Sequence, residues 1–147
     1  MEIADAIMFK IRILDNQIKR FIDKKAMSVD KNLTGMQLAV LLCVGYHNKL
    51  DKNKDIFPND IKKKFNVRRS TVTTILKKLV KDGYITQIRA SYDERYKRLF
   101  ITEKSELIYS KIQQAQMEGE EIVSKGLSQE KIDIFFEVAN KIMENIS

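Results

Sequence analysis

The sequence has one cysteine, one histidine, one proline, no tryptophan and five glycines in 147 residues. A lone cysteine, Cys43, cannot close an intramolecular disulfide, which excludes a disulfide-stapled secreted scaffold and fits a reducing cytoplasm. His47 has no second imidazole and no cysteine pair beside it, so the spacing of a metal site is missing, as is the partner of a histidine-based triad. The glycines form no phosphate-cradling loop, and the carboxylates pair with lysines at helical offsets. No enzyme, catalytic residue, metal or cofactor is expected. No apolar run approaches the ~20 residues that span a bilayer. A charged-then-apolar secretory signal is also missing. Without internal repeats or low-complexity tracts, the expectation is a cytoplasmic protein with no membrane partner.

What is present is positive charge, gathered in one place. The formal charge is +7, with a sequence pI near 9.4. Residues 52–98 hold fourteen Lys and Arg against five Asp and Glu, a surplus of nine that leaves the rest of the chain at minus two. A segment so biased suits a polyanion, and its confinement favours DNA over a diffuse attraction to a membrane. With 44% hydrophobic residues the chain can bury a sizeable core, as one domain or one domain with extensions.

The basic segment has a readable pattern. Val72, Ile75, Leu76 and Leu79 recur at the spacing of one buried helix face. The opposite face carries Arg69, Ser70, Thr71, Thr73, Thr74, Lys77 and Lys78, with no carboxylate until Asp82. Gly83 stands where a finished helix takes a left-handed residue. Tyr84 to Arg89 then alternates as a strand and Arg98 to Thr102 as its return, with a polar loop from Ala90 to Lys97 between them. A helix ending in glycine and running into a charged hairpin is a winged helix-turn-helix pattern, hence a reader of double-stranded DNA. Asn66 and Val67 form the turn before the helix, where asparagine tolerates the left-handed conformation. Pro58 suits the first turn of the preceding helix, Asn59 to Phe65.

Long amphipathic stretches flank this module. Ile3, Ile7, Ile11, Leu14, Ile18, Phe21 and Ile22 make one stripe on a helix over residues 2–25, longer than a small module can cover. Lys24 to Asn32 reads as a polar connector. Thr34, with Gln37 as its capping-box partner, starts a helix buried on most sides and ended by His47. Cys43 lies inside its apolar run, as a core side chain would; a redox thiolate needs an exposed, electropositive setting. Leu50 to Asp55 is a charged loop. Helices follow from Glu103 to Ser124 and, after Gly126, from the Ser128 cap onward with Ile132, Phe135, Ala139, Ile142 and Ile146 in line. The expected fold class is mainly α (α+β): a winged helix-turn-helix over 34–102, with helices 1–33 and 103–147 forming a dimerisation domain.

With these motifs in place, the chain resembles the MarR family of bacterial winged-helix transcriptional regulators, closely over about residues 34–105 and by pattern outside them. Ser70-Thr71-Val72-Thr73, Leu79 and Asp82-Gly83-Tyr84-Ile85 look like the family's recognition helix and its exit. Asp93-Glu94-Arg95 matches its Asp-x-Arg wing, with Lys97 and Leu99 to Lys104 following in place. Four positions depart from the pattern: Ser105 for glycine, Gln87 for a basic residue, Arg68 for an acidic cap, and Phe57 for the Thr or Ser that would cap the preceding helix.

The resemblance implies a homodimeric regulator, a repressor, on an inverted-repeat operator. Arg95 would enter the minor groove, and Asp93 would orient it or brace the wing through a local ion pair. Arg68 and Arg69 oppose the helix dipole at its start, a cost that a nearby phosphate relieves. Ser70, Thr71, Thr73 and Thr74 would meet base edges, Lys77 and Lys78 the backbone, with Arg89 and Lys97 completing the DNA-binding set. A small-molecule effector between dimer helices and reading module is also implied; Tyr46, Met36 and Phe21 could line its pocket or simply pack in the core. The competing class is a winged helix serving plasmid or phage replication or protein–protein interaction. RNA binding ranks lower, since Tyr92 and Tyr96 are the only aromatics in the wing loop.

Overall fold

The computed structural model describes residues 1–50 and 54–147, so part of the charged loop expected at Leu50 to Asp55 lies outside the described residues. After a 3-10 turn at Ile3–Asp5 come α1 (Ile7–Val29), α2 (Gly35–Leu50), α3 (Pro58–Phe65) and α4 (Arg69–Lys81). The hairpin β1 (Ile85–Ala90) and β2 (Asp93–Ile101) follows, then α5 (Glu103–Ser124) and α6 (Gln129–Ile146). The two strands form one antiparallel sheet. Residues Met1–Ala115 form one compact unit and Gln116–Ser147 a second.

Local chemistry sets most boundaries. The Thr34 amide donates to Gln37 Oε1 at 2.9 Å and the Gln37 amide donates to Thr34 Oγ1 at 3.3 Å, the reciprocal box that opens α2. Asn66 is left-handed at φ 50° and closes α3, and Gly83 at φ 79° follows α4. Ser128 Oγ accepts the Lys131 amide at the start of α6.

Three expectations need correction. First, α1 runs on to Val29 rather than yielding to a connector at Lys24. Ala26 is fully buried and Val29 packs on the core, so tertiary burial overrides the polar composition. Second, α2 continues past His47 to Leu50. Third, the polar loop Ala90 to Lys97 is mostly strand, since β2 starts at Asp93.

In the first unit the core is centred on α2. Leu38, Val40, Leu41 and Val44 are sealed among Ile56, Ile61, Val72, Leu76, Leu79, Tyr84, Ile85 and Leu99. Each such Leu or Ile contributes about 1.5–3 kcal/mol relative to exposure. Two close approaches demand glycine: a Cβ at Gly35 would strike the Ile22 side chain, and one at Gly45 would strike the Tyr109 ring.

The hairpin is anchored at its root. The Leu99 amide donates to the Ile56 carbonyl at 2.9 Å. Asn48 of α2 donates to the Leu99 carbonyl at 3.0 Å and accepts the Ile101 amide at 2.9 Å, pairing with β2 as a neighbouring strand would. Thr102 Oγ1 donates to the Gly83 carbonyl at 2.6 Å.

Candidate nucleic-acid interface

The recognition face is built by the inward pull of Val72, Leu76 and Leu79, all buried. That fixes the roll of α4 and leaves Arg69, Ser70, Thr71, Thr73, Thr74, Lys77 and Lys78 exposed together. Arg68 is the N-cap and makes no side-chain capping bond, and the first turn holds no acid. The helix therefore begins with unpaired amides, the positive end of its dipole and two guanidinium groups, a combination that an anion stabilises. Thr73 Oγ1 donates to the Arg69 carbonyl and Thr74 Oγ1 to the Ser70 carbonyl, each at 3.0 Å.

The wing has an irregular tip. Arg89 pairs with Lys97, but Ala90 pairs with Asp93, so Glu94, Arg95 and Tyr96 bulge out with no residue opposite them. Asp93 holds the bulge. Its Oδ1 accepts the Arg95 amide at 3.0 Å, and both its oxygens take the Arg95 guanidinium, the shortest contact being 2.8 Å. The Arg95 side chain, and then its amide, hold the Asp93 carboxyl below its ordinary pKa. Arg95 is still 86% exposed at its side chain, so the fork aims the cation without covering it. The aligned Arg89 and Lys97 repel across the strands; Glu94, 3.9 Å from Arg89, offsets part of this.

A groove of about 1050 Å³ between the helix-turn-helix and the wing brings Arg69, Thr73 and Lys77 of α4 together with Arg95 and Lys97 of the wing. Ser70, Thr71, Thr74 and Lys78 are exposed on α4 outside this groove, Arg89 turns to Glu94, and Asp93 is engaged by Arg95.

Sequence reasoning did not single out Lys62, Gln87, Tyr92 or Tyr96 as site residues, yet all four line the groove. The Phe57 ring meets Tyr96 edge-on at 5.7 Å, and Tyr92 lies 6.4 Å from Tyr96, a contact between distant segments that no local spacing announces. As expected, the Phe57 side chain makes no capping bond, and the start of α3 is held instead from within the helix. Asp60 Oδ2 accepts the Phe57 amide at 2.8 Å, and Pro58 in the first turn has no amide to satisfy.

The remaining candidates lie apart. Cys43 is buried, and burial pushes its thiol pKa up, the setting of an inert core side chain. His47 is half-buried with its ring edge-on to Tyr46. A small cavity of about 190 Å³ is lined by His47, Asn48, Ile56 and Leu99 among others. Tyr46, Met36 and Phe21 line neither this cavity nor the groove, and Tyr46 is 54% exposed.

Two helices joined by a left-handed turn, a second helix with an acid-free outer face, and a two-stranded wing define a winged helix-turn-helix domain. Residues 31–95 match the model of the MarR family, and over this stretch the chain is similar to the winged-helix regulators of that family. It is 23% identical over 101 residues to the uncharacterized HTH-type transcriptional regulator YybA of Bacillus subtilis (strain 168), covering 69% of this chain and 67% of that protein. The fold is shared with the transcription regulator MarR from Oenococcus oeni PSU-1, at TM-score 0.77 and 22% identity over 95% of this chain and 99% of that one. It is also shared with a protein from Listeria monocytogenes assigned to the MarR family and solved with a 26mer DNA. That match has TM-score 0.77 and 21% identity over 97% and 89% of the two chains.

Proposed function

We propose that the chain is a sequence-specific double-stranded DNA-binding transcriptional repressor, acting in the cytoplasm as a homodimer on an inverted-repeat operator. The observation that carries this reading is the exposed, acid-free face of α4, with cations of the wing across one groove from it. The Listeria protein of the same fold was solved with DNA, which supports the same partner here. In this reading Ser70, Thr71, Thr73 and Thr74 face base edges in the major groove, while Arg68, Arg69, Lys77 and Lys78 hold phosphates. Arg95, aimed by Asp93, enters the flanking minor groove, and Arg89 and Lys97 bind its walls. Residues 34–102 read, and 1–33 with 103–147 dimerise.

The dimer is supported by apolar side chains that the chain leaves uncovered. On α1, Ile7, Ile11, Leu14 and Ile22 are between 37% and 67% exposed, and α6 has no buried residue. A second copy covering these stripes would set two recognition helices ~34 Å apart, one turn of B-DNA. A small ligand that shifts this spacing would regulate binding.

The test combines sedimentation with selection from a random duplex pool. The expected results are a species of twice 17.2 kDa, an inverted repeat among the selected duplexes, and affinity that falls steeply with salt. A monomer indifferent to every duplex at low ionic strength would overturn the proposal.

A further inference from the structure

We infer that Thr73 and Thr74 read thymine-bearing base pairs, using their γ-methyl groups and hydroxyl oxygens left only as acceptors. The inference rests on the DNA-binding reading above and names what that surface recognises. Its starting point is a pair of hydrogen bonds. A threonine hydroxyl has one hydrogen, and both threonines commit theirs to the carbonyl four residues back, Arg69 for Thr73 and Ser70 for Thr74. Both side chains are exposed, and turning either hydroxyl outward to donate would give up a formed bond. A β-branched side chain held this way also has a fixed methyl direction. What the middle turn of α4 offers to solvent is therefore two methyl groups and two oxygen acceptors, with no hydroxyl donor.

The major-groove edges of the base pairs answer this surface unequally. An A·T pair presents the adenine N6 amino donor and, beyond the thymine O4 acceptor, the thymine C5-methyl, so its edge offers partners for both an acceptor and a methyl group. A G·C pair presents the guanine N7 and O6 acceptors and no methyl, so an acceptor placed against guanine is desolvated without a partner. Cytosine N4 could donate, but nothing there covers the threonine methyl. The cations beside them, Arg69 and Lys77, supply the donors that phosphates take up. The middle turn then selects A·T, and the threonines determine specificity while the cations supply affinity.

The test uses the full-length protein and the duplex obtained by selection. Each thymine of the selected half-site is replaced in turn by deoxyuridine, which deletes only the C5-methyl. Binding is followed by fluorescence anisotropy at fixed salt for wild type, Thr73→Ser, Thr74→Ser and the two Thr→Val variants. Deoxyuridine at one or two positions should weaken wild type about three- to fivefold, the worth of one buried methyl group. The matching Ser variant, which keeps the hydroxyl and loses the methyl, should bind thymine and deoxyuridine duplexes equally. The Val variant should retain the thymine preference and lose discrimination against guanine. Since both positions are exposed, thermal melting should be unchanged in all four variants. A selected site with G·C pairs opposite this turn, or tight binding with no response to any deoxyuridine, would overturn the inference and leave DNA binding standing. Failure to bind any duplex would overturn the DNA-binding reading, and this inference with it.

Discussion

α1 and α4 are both amphipathic helices, yet they use their apolar faces in opposite ways. α4 turns Val72, Leu76 and Leu79 into the core and presents cations and hydroxyls to solvent. α1 buries only Ala26 and exposes Ile7, Met8, Ile11, Ile13 and Leu14 along its first two turns. The reading module is therefore finished within the chain, while the first half of α1 is not. Apolar surface of that extent has its value when covered, and polar surface like that of α4 has its value when left open.

The largest effect should come from charging the unfinished helix. Ile11→Asp with Leu14→Asp removes two apolar side chains from each copy, four in the proposed interface; each is about half exposed in the single chain, so covering it is worth about half of the ~1.5–3 kcal/mol of full burial, and dimer dissociation should be roughly two to four decades easier. Sedimentation velocity across a concentration series reads this directly. The thermal melt of the monomeric species should stay near that of the wild-type core, since neither residue is buried there. Unchanged dimerisation would show that α1 is not the surface the second copy covers.

A second substitution tests how far the reading module stands on its own contacts. Asn48→Ala strips both partners from the root of the wing and leaves the Leu99 carbonyl and Ile101 amide unpaired in a half-buried site. A loss of about 1–3 kcal/mol is expected, measurable by urea unfolding with an unchanged m-value. Here the sequence is instructive by its silence. The turn at Asn66, the Gly83 exit, the Thr34–Gln37 box and the Ser128 cap obey rules that act within four residues, and all four are legible along the chain. Asn48 bonds to residues more than fifty positions away, and the Phe57–Tyr96 contact spans nearly forty. Nothing local distinguishes those residues from ordinary surface. The same limit explains why α1 outruns its polar tail, since Ala26 is helical for the sake of the core it joins. The wing tip departs from expectation for a different reason. Ser91-Tyr92 lacks the Asn-Gly or Asp-Gly signature of a tight hairpin, and the three-residue bulge hides the register. The exposed residues of α4 proposed to meet DNA are legible because helical spacing alone sorts them from the core.

On the polar side of the comparison, Arg95→Ala should weaken specific DNA binding by more than tenfold and move the melting temperature little, because the side chain is exposed and its ion pair is with Asp93 of the same wing. Lys77→Ala should act differently, lowering affinity for all sequences alike and reducing the salt slope by about 0.9 for each phosphate left without its cation. A wing variant that bound normally would remove the minor-groove assignment and leave the α4 assignment intact.

The smallest effect concerns pH, and it separates wing geometry from wing charge. Asp93 titrates below its ordinary range because the Arg95 side chain and amide both favour its ionised form. A group with a depressed folded pKa adds order that is fully present above the unfolded carboxylate value of ~3.9 and is lost as pH falls through the lower folded value. Between pH 5 and 8 the Arg95 fork should therefore be insensitive to pH, and it should open only in acid. Proton NMR of the Arg95 side-chain Nε–H, with the Asp93 carboxyl carbon followed alongside, should show both changing together below the ordinary carboxylate range. Asp93→Asn should abolish the transition while keeping Arg95 charged. If that variant bound DNA as well as wild type at neutral pH, the cation alone would suffice, and the aim given by Asp93 would be dispensable.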